Sequence, residues 1–138
     1  MSSLLGLKCI NNQLTSINLN GLSNLKQLLC SYNQLSGIDI SASTSLQYFN
    51  CDHNQLTTLN TYNALLIGLQ CNDNLLTTLY IKANSSWTLL NFNNNPTLTF
   101  ICANDFALTG VQNLINSYGY AATCNLNSYC NFFVPCIE

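Results

Sequence analysis

The residues with the greatest potential for chemistry in this 138-residue chain are its single histidine and two nearby aspartates. His53 follows Asp52 directly, and Asp73 occupies the matching part of the next sequence repeat. A histidine beside two carboxylates can act as an acid–base pair or a weak metal site. The sequence contains no nucleophile motif and no phosphate-binding loop. We therefore interpret these three residues as solvated turn residues, and we predict no enzymatic activity, catalytic residue, metal site or cofactor.

Eight cysteines fall into two groups with different expected roles. The first group recurs at one position of a repeat and is predicted to form a buried column, because free cysteine is among the most buried residue types. The second group lies outside the repeat and lacks the close spacing of a zinc site. We predict one or two disulfides there, which suit an oxidising compartment, but the sequence leaves all three pairings open. The groups are Cys9, Cys30, Cys51 and Cys71, and then Cys102, Cys124, Cys130 and Cys136.

A repeat of about 21 residues positions these side chains. Its pattern is Leu-x-x-Leu-x-Cys-x-x-Asn-x-Leu, and the fifth copy is degenerate. The alternation before the asparagine is typical of a short strand with one buried face. A second alternating segment follows in each unit, as in Ile17-x-Leu19. No unit can bury its own apolar side, so the units must stack. The copies begin at Leu4, Leu25, Leu46, Leu66 and Trp87.

The repeat predicts a solenoid made mostly of strand and coil. About five coils would stack over residues 1–102, with a parallel sheet on one face and extended segments opposite. An asparagine side chain in each turn can bond backbone groups that would otherwise be buried without partners. We therefore predict a structural asparagine ladder formed by Asn12, Asn33, Asn54, Asn74 and Asn95.

Residues 103–138 are predicted to form a C-terminal cap. Apolar residues recur with helical spacing over 109–118, Thr109 is a candidate N-cap, and Gly119 suits the C-terminal cap. This helix would cover the last coil, and residues 121–138 would follow as an irregular tail. Leu4 already belongs to the first coil, so we expect an uncapped apolar strand edge at the N-terminal end.

These features resemble the leucine-rich repeat family over residues 4 to about 102. The cysteine before each asparagine turn and the recurring segment that starts at Asn12-Gln13-Leu14-Thr15 and again at Asn54-Gln55-Leu56-Thr57 are most similar to short, IRREKO-like bacterial repeats. Such repeats occur in secreted proteins of Bacteroidetes and flavobacteria. The resemblance implies a secreted or cell-surface module for protein–protein recognition or adhesion. The chain carries no signal peptide, which leaves a fragment or an unusual export arrangement as the alternatives.

In leucine-rich repeats the outward face of the first strand is the usual binding surface. We predict that it binds a protein, with a glycan as the alternative, because it mixes amides and aromatic rings. The alternative function is a self-assembling structural subunit of an extracellular fibre or coat, stacking through the N-terminal edge. The candidate binding residues are Lys8, Gln27, Leu29, Tyr32, Tyr48, Asn50, Asp52, His53, Gln70, Asp73 and Asn91.

Charge and hydropathy exclude two classes of partner. Charged residues make up 6% of the chain, with three lysines and no arginine, so the sequence lacks the basic patch that nucleic acid requires. Its apolar runs are shorter than the roughly 18 residues of a membrane-spanning helix.

Overall fold

The computed structural model describes residues 3–62, 64–82 and 87–130. Within these ranges the chain forms nine short strands, a 3₁₀ turn and an α-helix. In chain order they are β1 (Gly6–Lys8), β2 (Gln27–Leu29), β3 (Tyr48–Asn50), β4 (Thr58–Asn60), β5 (Gly68–Gln70), β6 (Thr78–Tyr80), β7 (Leu89–Asn91), β8 (Phe100–Cys102), the 3₁₀ turn (Asp105–Ala107), α1 (Leu108–Ser117) and β9 (Asn125–Asn127).

The first sheet contains five parallel strands in the order β1-β2-β3-β5-β7. Each strand comes from a successive repeat, and its central residue pairs with the central residue of the next strand. Because side chains alternate along a strand, all the central residues point to the same interior. The predicted parallel sheet on one face of a stacked repeat is therefore present. The paired residues are Leu7, Leu28, Phe49, Leu69 and Leu90.

The opposite wall was predicted to consist of short second strands or extended segments. It contains a second sheet of four parallel strands in the order β4-β6-β8-β9. The second sheet begins only in the third repeat, where Thr58 precedes the inward Leu59 and pairs with Thr78. The matching positions in the first two repeats are Ser16 and Gly37. Threonine favours strands and glycine disfavours them, which accounts for the difference between the coils.

The cysteine column lies where the repeat places it. Cys30, Cys51 and Cys71 are fully buried, whereas Cys9 in the first coil is half-buried. All four are free thiols. The backbone N–H of each of these four cysteines donates to a carbonyl of the next coil. Phe92 takes the same position in the fifth repeat and is also fully buried. The coils therefore stack with the repeat in register.

The helix begins differently from the prediction. Thr109 is not the N-cap: α1 starts at Leu108, its N-cap is Ala107, and no side chain caps it. The reason is the preceding 3₁₀ turn, whose Ala107 N–H already donates to the Asn104 carbonyl at 2.9 Å. Such a turn satisfies part of the first helical turn without a side-chain acceptor.

The C-terminal end of the helix follows the sequence signal. Gly119 adopts a φ of 82°, in the left-handed region that glycine enters without strain. Its N–H donates to the Asn116 carbonyl, and the Tyr120 N–H donates to the Ile115 carbonyl. These two bonds form a Schellman motif, which ends the helix.

The tail is not wholly irregular, which corrects the prediction for residues 121–138. Residues Asn125–Asn127 form β9 and pair in parallel with Phe100–Cys102. Leu126 aligns with Ile101 and so continues the inward row of the second sheet. This strand could not be predicted from the sequence, because a three-residue strand with one apolar side chain carries almost no periodic signal. Residues 131–138 of the predicted tail lie outside the described residues.

Candidate interaction surface

Seven of the eleven predicted binding residues lie on the outward side of the first sheet, whereas Tyr32, Asp52, His53 and Asp73 lie in the turns that follow its strands. None of the eleven is buried. They are Lys8, Gln27, Leu29, Tyr32, Tyr48, Asn50, Asp52, His53, Gln70, Asp73 and Asn91. The five strands lie about 4.8 Å apart, so the face extends roughly 19 Å from β1 to β7. Lys8 and Asn91 therefore stand at opposite ends of the surface and cannot share one small ligand.

The centre of this face is built around a glycine. A Cβ atom on Gly68 would lie 2.8 Å from Tyr48 Cδ1, so the tyrosine ring lies directly against the bare backbone of the next strand. Leu89 approaches from the other side, and the side chains of Leu29 and Gln70 border a shallow depression of about 120 Å³. Tyr48 remains 43% exposed and Leu89 46% exposed, so both offer apolar area to a partner.

Residues just before the asparagine ladder form a second feature, which we call the left-handed column. One non-glycine residue in each coil has a φ between 52° and 56°, an uncommon backbone region for residues with a Cβ. Three of its members, Tyr32, His53 and Asp73, were predicted as binding residues. Asn11, Asn94 and the shared backbone conformation were not predicted. Asparagine, aspartate and histidine are enriched in this region, so their recurrence before four of the five ladder asparagines was the available signal. The column is Asn11, Tyr32, His53, Asp73 and Asn94.

From Tyr32 to Asn94, the side chains of the left-handed column are in contact along the stack. The Tyr32 and His53 rings are stacked with centroids 4.1 Å apart. His53 Nδ1 lies 3.2 Å from Asp52 Oδ2, and His53 Nε2 lies 3.7 Å from Asp73 Oδ2. Asn94 Nδ2 donates to Asp73 Oδ1 at 2.9 Å. The two carboxylates engage opposite nitrogens of one ring, so the three groups do not converge on a point where a metal ion could sit. Among the described residues, no cluster of three or more His, Cys, Asp or Glu side chains could hold a metal.

The environment of Asp73 favours its charged form. Burial alone would raise the pKa of this carboxyl group, but hydrogen bonds from Asn72 and Asn94 and the nearby His53 outweigh burial and lower the pKa. A lowered pKa in the folded state stabilises the protein above the unfolded pKa of about 3.9 and ceases to do so as pH falls through the folded value.

We therefore expect Asp73→Asn to destabilise the protein at pH 5–7 and to have a shrinking effect under more acidic conditions. Urea unfolding of wild type and variant between pH 7 and about pH 3 measures the difference directly. A difference that stays constant through the acid range would contradict the assignment of these contacts to the ionised carboxylate.

The asparagine ladder holds each coil to the one before it. Asn74 Nδ2 donates to the carbonyls of Cys51 and Cys71 at 3.1 and 3.2 Å, and its Oδ1 accepts from Leu56 N–H at 2.9 Å. The same three bonds recur at the matching atoms around Asn33, Asn54 and Asn95. Asn12 is exposed, and its amide bonds carbonyls of its own coil only.

Asn95, in the ladder, is bonded to the segment that follows α1. The Asn95 backbone N–H donates to the Tyr120 hydroxyl at 2.8 Å, in a fully buried position. The Tyr120 ring also stacks on Phe92 with centroids 6.2 Å apart. One side chain from the cap therefore covers both the polar ladder and the end of the cysteine column.

The three buried thiols of the cysteine column have raised pKa values. Burial, with smaller effects of Cys9 and Asp52, raises the pKa of Cys30 to about 12. Burial also raises the pKa of Cys51 and of Cys71. Because the thiolate is the reactive form, these thiols are inert at neutral pH.

We expect a thiol-alkylating reagent to modify Cys9 at least about 100-fold faster than Cys30, Cys51 or Cys71 in the native protein. Time-resolved peptide mapping measures the four rates, and the difference should vanish in denaturant. Equal native rates would mean that the column is open to solvent.

The cap cysteines are partly paired. Cys102 and Cys130 form a disulfide with a Cα–Cα distance of 5.7 Å, whereas Cys124 is free and buried. Cys136 lies outside the described residues. The sequence could not distinguish between the pairings, because β9 brings Cys130 back to the end of β8.

A groove that was not predicted from the sequence lies between the segment 87–90 and α1 with its preceding turn. Its volume is about 500 Å³, and it is bordered by the indole of Trp87, by Leu89, and by Val111 and Leu114 of α1. Phe106 stands at its rim and is 63% exposed. Trp87 and Leu89 belong to the fifth repeat, whereas Val111 and Leu114 belong to α1, so only the packing of α1 on the repeats brings the two pairs together.

In the part of the chain that the structure describes, no helix has the length and hydrophobicity needed to cross a membrane.

Comparison with known proteins gives one informative match. A solved structure of the functional domain of InlJ from Listeria monocytogenes, described as including a cysteine ladder, is similar with a TM-score of 0.64 and 30% sequence identity. The match covers 73% of this chain and 25% of that chain, so this chain spans about a quarter of that relative. No protein-family model and no curated protein matches the sequence. InlJ is a leucine-rich repeat protein, and its cysteine ladder parallels the cysteine column described above. The fold of this chain is therefore similar to that of a leucine-rich repeat protein, and its stacked parallel strands are consistent with a solenoid.

Proposed function

We propose that this chain is a non-enzymatic recognition module that binds a protein on the outward face of its first sheet. The observation that carries this proposal is the centre of that face, where exposed Tyr48 and Leu89 flank Gly68. We call the bare backbone at Gly68, against which the Tyr48 ring lies, the glycine notch. Tyrosine is enriched among residues that dominate protein interfaces, and amides such as Gln70 supply hydrogen bonds at little cost in desolvated charge. The likeness to a leucine-rich repeat protein supports protein binding in general.

The disulfide after β8 supports a proposal about the compartment in which this protein acts. The disulfide between Cys102 and Cys130 supports an oxidising compartment, so we propose a secreted or cell-surface protein in recognition or adhesion. We also propose that the repeats belong to the short, IRREKO-like type of secreted Bacteroidetes proteins. A glycan is the alternative ligand for the same face, because an exposed tyrosine ring beside amides also suits a sugar.

We test the face with a photo-crosslinking amino acid at position 48 and, as a control, at position 58 on the outward side of the second sheet. Each protein is applied to surface extracts of the source organism, and adducts are identified by mass spectrometry. We expect one recurrent protein adduct from position 48 and none from position 58. Adducts of equal abundance from both positions would contradict a binding site on the first sheet, and a carbohydrate adduct would favour the glycan.

The glycine notch provides a sharper variant than removal of the tyrosine. Gly68→Ala places a methyl group against Tyr48 and must displace the ring, whereas Gly37→Ala meets nothing within 4 Å. We expect Gly68→Ala to weaken binding of the cross-linked partner at least tenfold and Gly37→Ala to leave it unchanged. Calorimetric titration with the purified partner measures both, and equal affinities would place the interface elsewhere.

A second candidate function is self-assembly through the edge of β1. In the described chain β1 is the edge of the first sheet, Leu5 is 55% exposed, and Leu7, Cys9 and Leu14 are only half-buried. An unpaired apolar strand edge is a template for pairing with another chain. Analytical ultracentrifugation at micromolar concentration tests this function, and Leu5→Lys should reduce any assembly. A monomer at these concentrations contradicts it.

We also propose that the described repeats form five coils within residues 1–102 and that α1, within residues 103–138, acts as their cap. Val111 and Ile115 on one face of α1 are buried, while Gln112 and Asn116 on the other are exposed. A terminal coil needs such a cover to keep its apolar side from water.

A further inference from the structure

We propose that Asn20 is a site of spontaneous covalent modification, at which the native protein converts asparagine to aspartate and isoaspartate. Asn20 is followed by Gly21, and the sequence contains no other Asn-Gly pair. Both residues are exposed and lie in the connection between β1 and β2. The site is therefore separate from the recognition face of the first sheet, and its only co-reactant is water.

The turn around Asn20 is a standard part of the repeat with an unusual sequence. The Leu22 N–H donates to the Leu19 carbonyl at 3.1 Å, and the Asn20 N–H donates to the Asn18 side chain at 2.9 Å. The next two repeats have the same two bonds around their own turns. Of these three turns, only the first places a glycine directly after a side-chain amide.

The attacking group of the reaction is the backbone nitrogen of Gly21, and the structure leaves it accessible. Among the described residues, no acceptor is bonded to the Gly21 N–H. Gly21 has no Cβ, and a Cβ built there would meet nothing within 4 Å. Neither a hydrogen bond nor a side chain therefore holds this nitrogen away from Cγ of Asn20.

The turn must open locally before the nitrogen can reach Cγ. Gly21 has a φ of 80°, the value found at the third residue of a type II turn. From this conformation the chain must rotate about the Cα–C bond of Asn20. One backbone hydrogen bond spans the turn and both central residues are exposed, so this opening costs far less free energy than global unfolding.

The chemistry proceeds through a cyclic imide and balances without a redox step. The Gly21 nitrogen bonds to Cγ of Asn20, the Cγ–Nδ2 bond breaks, and the amide leaves as ammonia with the Gly21 proton. Water then adds to one of the two imide carbonyls. Opening at Cγ gives aspartate, and opening at the backbone carbonyl gives isoaspartate, in which the main chain runs through the side chain.

Both products change the turn. Each adds one negative charge to a chain whose formal net charge is −2. Isoaspartate also inserts a methylene group into the main chain between Leu19 and Leu22, whose carbonyl accepts from the Leu25 N–H at 3.1 Å. We therefore expect faster hydrogen exchange at Leu22 and Leu25 in the isoaspartate form than in the unmodified protein.

The site is tested by incubating the full native chain in water enriched in oxygen-18, followed by digestion in ordinary water. Trypsin cleaves after Lys8 and Lys26, so the peptide 9–26 contains Asn20 and four other asparagines. Only modification in the native protein carries the label. We expect Asn20 to react at least about tenfold faster than the other four, because none of them precedes a glycine, and to yield both labelled products.

Three variants sharpen the test, and urea unfolding establishes that each is folded. Asn20→Gln should abolish the labelled isoaspartate, because its ring would need six atoms and closes more slowly, whereas Asn24→Gln should leave the rate at Asn20 unchanged. Gly21→Ala should slow the reaction at least about tenfold by shielding the nitrogen. A native Asn20 that reacts no faster than the other asparagines would overturn the proposal, and labelled aspartate without isoaspartate would exclude attack by Gly21.

Discussion

Replacement of Asn74 by leucine is expected to lower the free energy of unfolding by about 2–4 kcal/mol. Leucine preserves much of the volume but removes the amide that serves the carbonyls of Cys51 and Cys71 and the N–H of Leu56. The Leu56 N–H would lose its buried acceptor, which costs about 1–3 kcal/mol. The two carbonyls would each lose one donor but keep another, Asn54 for Cys51 and Asn95 for Cys71, so their loss is smaller. Urea unfolding followed by circular dichroism measures the change.

The matched control is the same substitution at the exposed end of the asparagine ladder. Asn12 bonds the carbonyls of Cys9 and Ile10 in its own coil, where water can replace it. Asn12→Leu should therefore cost no more than about 1 kcal/mol. Equal losses for the two variants would mean that the bonds between coils do not hold the stack together.

Replacement of Ile115 by aspartate is the second change with a large expected effect, at least about 4 kcal/mol of unfolding free energy. Ile115 is fully buried on the face of α1 that packs on the apolar core. The variant removes this apolar contact and forces a carboxylate either to enter the core or to pull the helix away. Hydrogen–deuterium exchange measures the loss in the cap and the fifth coil separately from the first coil.

Asn116→Asp adds the same carboxylate one position further along the same helix, at an exposed residue. Its expected cost is below about 0.5 kcal/mol. If both aspartate variants were equally stable, or if Ile115→Asp left protection of the fifth coil unchanged, α1 would not be a cap.

The repeat in the sequence was sufficient to predict the parallel sheet. Leucine and cysteine alternate before each asparagine, and the period fixes which residues pair across strands, as Leu28 pairs with Phe49. The conserved spacing of polar groups within the unit also identifies the asparagines that bond between coils. These features are repeated, so each copy strengthens the inference from the others.

Features that occur once in the chain, rather than in every repeat, could not be predicted from the sequence. β9 and the groove beside Trp87 arise from single segments with no periodic signal, and their partners are distant in the sequence. The N-cap prediction failed at Thr109 because a 3₁₀ turn already satisfied the first turn of the helix. The left-handed column was missed because a backbone angle is only weakly encoded, although Asn11 and Asn94 are favourable types for it.

The binding surface is predictable in position but not in detail. The period places Tyr48 and Gly68 on the outward face of neighbouring strands, as observed. The contact of the ring with the glycine depends on the side-chain rotamer, which the sequence does not specify. Likewise, the order Tyr32, His53 and Asp73 along the left-handed column follows from the repeat, but their stacking and bonding distances follow from the fold.

Exchange of the asparagine side-chain amide protons with solvent, followed by nuclear magnetic resonance, tests the stacked-coil account most directly. The account predicts slow exchange at Asn54, Asn74 and Asn95, whose amides each bond two coils, and fast exchange at Asn12. Fast exchange at all four positions would contradict an interior ladder and, with it, the register that builds the recognition face.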